Sequence, residues 1–66
     1  MTIGEKIRFA LSMKRMKQKE LAKKVGITEV SMSRYILDER IPNAIAIKRI
    51  CRALDISVEW MLEDVE

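Results

Sequence analysis

A helix stop and a helix start lie two residues apart near the middle of this chain, and that constrains the fold more than any other feature. Leu21, Ala22 and Val25 form an apolar stripe at helical spacing, and Gly26 follows at once. Glycine is the residue best able to take the left-handed conformation that closes a helix. Thr28 can cap a new helix whose inward face is Met32, Tyr35 and Ile36. Two short helices joined this tightly must cross steeply. A small side chain is needed at the crossing and a branched apolar plug just after the turn; Ala22 and Ile27 supply them.

The remaining punctuation gives an all-α chain. Only two glycines and one proline occur in 66 residues, and helix formers fill the intervals. Thr2 with Glu5 fits a capping box, and Ile3, Ile7, Ala10 and Leu11 continue it as a first helix over about 3–14. The second helix starts near Gln18 and ends at Gly26; the third covers about 29–37. Asn43 can cap a fourth, with Ile47, Ile50, Cys51 and Leu54 inward, and Ser57 a short fifth through Met61 and Leu62. The expectation is a compact five-helix bundle forming one domain over 1–66.

Composition removes most other classes. A chain of this length buries about 60% of its unfolded surface, which leaves no core to spare for a large catalytic cavity. One cysteine excludes an internal disulfide, and without histidine a zinc site has almost no ligands. The longest apolar run is four residues, Ala44–Ile47, against roughly 20 for a membrane span. The start is polar and charged, unlike a secretory signal. These features predict a cytoplasmic domain that is no enzyme and carries no cofactor or metal. Cys51, on the buried stripe of the fourth helix, reads as a small core residue.

Charge is distributed unevenly. Residues 1–33 hold eight Lys/Arg against three Asp/Glu, and residues 34–66 hold five against seven. The surplus gathers at Lys14, Arg15, Lys17, Lys19, Lys23 and Lys24, whereas the last twelve residues carry five acids and no base. A basic face on a compact domain suits a polyanion.

The segment QKELAKKVGITEVSMSRYI, residues 18–36, closely resembles the helix-turn-helix of the phage Cro/repressor (Xre-type) DNA-binding family. Gln18, Leu21-Ala22, Val25-Gly26-Ile27, Thr28, Met32, Ser33 and Arg34 carry the likeness, which continues through Pro42, Leu54 and Asp55-Ile-Ser-Val58. The resemblance implies a lambda-repressor-like domain, with its helix-turn-helix at about 18–37, that regulates transcription by binding double-stranded DNA. In that family the third helix enters the major groove. With its inner face committed to the core, Glu29, Val30, Ser33 and Arg34 are left to read bases. Arg34 suits the O6 and N7 of guanine, Glu29 the amino group of cytosine, and Val30 a thymine methyl. Glu29 equally suits the positive end of its own helix. Gln18, Lys17, Lys19, Thr28, Ser31 and Arg40 are the expected phosphate contacts, which position without reading.

Several residues depart from the family's pattern. Relatives pair an arginine of the first helix with a glutamate of the third, at positions that align here with Leu11 and Ile36. Hydrocarbon is an adequate replacement when both partners change together, so the two are expected to touch. Lys17 stands where Ser or Thr caps the second helix. Arg15 and Asp38 occupy turn positions where glycine is common, and Leu37 replaces a polar residue near the DNA backbone.

Val58, Trp60, Met61 and Val65 cluster beyond what a small core requires and form the expected dimer patch. A homodimer would present two reading helices about 34 Å apart to a palindromic operator. The chain reads either as a complete Cro-like repressor or as the DNA-binding part of a longer one. The competing function is a protein-interaction module on the same fold, an antitoxin or adaptor.

Overall fold

The computed structural model describes residues 1–65. Five helices follow in order: α1 (Ile3–Lys14), α2 (Gln18–Val25), α3 (Glu29–Ile36), α4 (Ala44–Leu54) and α5 (Val58–Leu62). Among the described residues there is no strand, and no helix is long and apolar enough to cross a membrane. α2 packs against α3 and α4, α1 against α3, and α5 closes one end against α1 and α4. One cluster gathers Ile7, Leu21, Met32, Ile50, Cys51, Leu54 and Met61, all fully buried, with Leu11 and Ile36 nearer its edge. Leu11 and Ile36 are both buried, on α1 and α3, which pack against each other. Burial pushes the Cys51 thiol pKa up, which keeps it protonated and inert.

The helix starts follow the caps read from sequence. Thr2 Oγ1 accepts from Glu5 N–H at 3.1 Å while Thr2 N–H donates to Glu5 Oε1 at 2.8 Å. The bond from the Thr2 backbone N–H, and after it the Thr2 side chain, hold the Glu5 carboxyl pKa below its usual value. Thr28, Asn43 and Ser57 accept from the backbone three residues on. Lys17 makes no such bond, so α2 begins with its first N–H groups free.

The ends of α1 to α4 share one device. Arg15, Gly26, Asp38 and Asp55 all take the left-handed conformation. In each case the next N–H reaches back five residues to a carbonyl: Met16 to Leu11, Ile27 to Ala22, Glu39 to Arg34 and Ile56 to Cys51, at 2.9–3.0 Å. Met16, Ile27 and Ile56 then pack on the core. Leu37, expected inside the third helix, is instead its C-cap, with ψ near 3°. Only one of these four turns uses glycine, so the other three carry a backbone cost of roughly 1 kcal/mol each.

Candidate nucleic-acid interface

α3 is held at both ends and along one side. Met32 and Ile36 are buried, whereas Glu29, Val30 and Arg34 are exposed and Ser33 is half-exposed. For Val30 and Arg34 this follows from helical spacing, which sets them opposite 32 and 36; Glu29 shares the side of 32 and 36 and is exposed as the first residue of α3. Val30, at 61% exposure, is an apolar tip with no partner in its own molecule.

The N-terminal end of α3 meets that of α2. Gln18 Nε2 points at the Glu29 carbonyl from 3.5 Å, a contact at the weak limit of a hydrogen bond that nonetheless sets the two helix starts side by side. Thr28 Oγ1, besides capping Ser31 N–H, donates to Ser31 Oγ at 3.1 Å. The Thr28 proton is therefore occupied, and Ser31 keeps the hydroxyl proton that can reach outward. Lys17, Lys19 and Arg40 are all exposed. Lys17 and Lys19 flank Gln18 at the shared helix starts, while Arg40 lies in the turn beyond the other end of α3.

That other end is pinned by residues 34 to 36 positions away in sequence. The Asp38 carboxylate accepts from Thr2 Oγ1 at 2.6 Å and from Gly4 N–H at 2.9 Å. Asp38 thus supplies an acceptor to the first turn of α1, whose N–H groups lack partners within their own helix. Gly4 allows the approach: a Cβ there would lie less than 3.0 Å from the Tyr35 and Ile36 carbonyl oxygens. Leu37, 54% exposed, brings no polar atom to this edge.

Three positioning features have no signature in local sequence. Asp38 reads there only as a tolerable left-handed residue, and Gly4 only as a weak helix former. Lys6 reads as surface charge, yet it is 5% exposed. Its Nζ donates to the Trp60 carbonyl at 2.6 Å and to the Glu63 carbonyl, and lies 5.3 Å from the centre of the Trp60 ring. A cation here satisfies the open carbonyls at the end of α5.

The expected dimer patch needs correction. Met61 is 1% exposed because it faces the core on a helix only five residues long; it has nothing to offer a partner. Val58 is exposed, while Trp60 and Val65 are half-buried.

A helix-turn-helix family model matches residues 7–61. The chain belongs to the helix-turn-helix family. Comparison with curated proteins finds no significant match. Among solved structures, the DNA-binding domain of the P22 c2 repressor superposes with a TM-score of 0.93 at 28% identity, over 97% of this chain and 84% of that one. The P22 c2 repressor bound to a synthetic operator gives 0.88 at 28% identity, over 96% of both chains. The SinR–SinI complex gives 0.89 at 25% identity, over 96% of this chain and 62% of that one. Within this helix-turn-helix chain, the segment matched by the family includes all of α2 and α3, and hence every outward α3 residue described above.

Proposed function

We propose that this protein is a transcriptional repressor that binds double-stranded DNA sequence-specifically, with α3 in the major groove. One observation carries the reading. The outward tips of α3 are free while its other face is locked into the core, so the side chains are presented on a rigid corner. The P22 c2 repressor, similar in fold and solved in complex with a synthetic operator, supports DNA as the partner.

Each exposed group has a task that fits its chemistry. Arg34 holds guanine through two parallel bonds, Glu29 accepts from cytosine, Val30 packs on a thymine methyl, and Ser33 adds a short adaptable contact. Gln18, Ser31, Lys17, Lys19 and Arg40 engage phosphates and set the register. Thr28 acts chiefly as the cap that holds Ser31 in place. One domain covers only a few base pairs, so the protein binds as a homodimer to a palindrome, with Val58 and Trp60 of α5 and Val65 beyond it at or near the contact.

Selection of bound sites from a random DNA pool, followed by anisotropy titrations at two salt concentrations, tests this. Arg34→Ala is expected to cost about 1–3 kcal/mol at one base position, whereas Lys17→Ala weakens all duplexes alike and flattens the salt slope. Equal losses on selected and random duplexes for Arg34→Ala remove its reading role. Absence of binding at low salt overturns the DNA reading in favour of a protein-binding adaptor.

A further inference from the structure

Two clefts between α2 and α4 share Val25 and Arg49 and so form one groove. The first, of about 380 Å³, is walled by Lys24, Arg49 and Arg52 beside Val25 and Ala53. The second, of about 200 Å³, is mainly apolar, with Ile27, Tyr35, Ile45 and Ala46 around Asn43. Helical spacing accounts for the arrangement. Burying Ile47, Ile50, Cys51 and Leu54 turns Ile45, Arg49 and Arg52 outward as one stripe of α4. Lys24 joins them from the last turn of α2. Ile45 is 63% exposed, an aliphatic side chain at the mouth of a cationic cleft.

Charge says what kind of group covers this groove. α2 carries three cations and one acid, and α4 three cations and no acid. That acid, Glu20, stands one turn before Lys24, and Asp55 caps the end of α4; neither lines either cleft. The occupant is therefore anionic. The apolar half separates a polypeptide from a nucleic-acid backbone, because a phosphodiester has nothing to place against Ile45. Seven residues of α4 separate Ile45 from Arg52, roughly 10 Å, which is the reach of about three residues of extended chain. A peptide with an apolar side chain two or three positions from its carboxylates matches both halves, and arginine grips a carboxylate through paired bonds. Lys24 also stands six residues beyond Gln18, roughly 9 Å along α2, at the end of that helix opposite its meeting with α3.

We propose that the α2–α4 groove docks an acidic segment of a partner protein. Its apolar anchor packs on Ile45 and Tyr35, and its carboxylates engage Arg49, Arg52 and Lys24. None of the residues assigned above to bases or phosphates takes part, so the protein can hold a duplex and this partner together. The docking stands whether or not α3 reads DNA.

Selection from a displayed library of random peptides against the full chain, cleared in each round over the Arg49→Glu, Arg52→Glu double variant, tests it. Circular dichroism checks that the variants remain folded. Peptides with Asp or Glu two or three positions from an aliphatic or aromatic residue are expected to be enriched. By anisotropy, a labelled peptide of this kind should bind about tenfold or more weakly to each of Lys24→Glu, Arg49→Glu and Arg52→Glu. Arg49→Lys, which keeps the charge, should cost less than Arg49→Glu, and Ile45→Ser should also weaken binding. No enrichment over the double variant, or enriched peptides without carboxylates, overturns the proposal. Charge reversals that leave the peptide bound place it elsewhere and overturn the groove. Reversals that instead weaken binding of a random duplex give the groove to DNA, and reversals that abolish self-association give it to a second copy; either result overturns the partner-protein assignment.

Discussion

Removing the Asp38 carboxylate measures how firmly the far end of α3 is held. Asp38 accepts two hydrogen bonds, from Thr2 Oγ1 and Gly4 N–H. Bonds to a charged acceptor contribute about 1.5–3 kcal/mol when shielded from water. Here the residue is exposed and the Gly4 bond only part-buried, so about 1–2 kcal/mol for the pair is reasonable. The backbone adds a second contribution, since Asp38 sits at φ 59°. Alanine in that conformation costs about 1 kcal/mol, and glycine costs nothing. Asp38→Ala keeps that backbone cost and loses the two bonds, so it should destabilise by about 1–2 kcal/mol. Asp38→Gly should lose the clasp but relieve the strain, for a net loss of about 0–1 kcal/mol. For a chain of this size, with a total stability of roughly 3–10 kcal/mol, the alanine loss is readily measured as a shift in urea midpoint at constant slope. The gap between the two variants isolates the backbone cost. Should Asp38→Gly prove clearly more stable than wild type, the carboxylate contributes nothing and the clasp is refuted.

Three further predictions use the same thermal and urea assays. Gly4→Ala should destabilise by at least about 1–3 kcal/mol, because the added methyl meets the Tyr35 and Ile36 carbonyls; an increase, as for an ordinary helical glycine, removes the close approach. Arg15→Gly and Asp55→Gly should each stabilise by up to about 1 kcal/mol by relieving left-handed turns, and a loss at both sites would contradict that account. Glu5 has a folded pKa lowered by its bonds with Thr2, so its contribution is present above the unfolded carboxylate pKa and is lost as pH falls through the folded one. The stability gap between wild type and Glu5→Ala should accordingly shrink from about pH 6 to about pH 3; a gap that widens in acid reverses the assignment.

The helix starts were legible because caps act locally. Thr2, Thr28, Asn43 and Ser57 each bond three residues on, a distance within reach of any sequence pattern. Gly26 was legible for the same reason, as were Val30 and Arg34, since burying Met32 and Ile36 sets them on the opposite side of α3. Contacts between distant segments were not. The clasp joins Asp38 to residues 34 and 36 positions away, and Lys6 grips α5 across more than 50. Neither side chain differs locally from a solvated one, so composition counts both as surface charge. Met61 shows the converse error: in a helix of five residues, a one-position choice of face decides between core and surface.

The grip of Lys6 on α5 falls on main-chain oxygens, those of Trp60 and Glu63. Every residue type presents the same carbonyl. The outward side chains of the last helix are thereby released from any duty in keeping it attached, and can change identity without loosening the end of the molecule. A scaffold fastened in this way can acquire new partners there while α3 goes on meeting the same one.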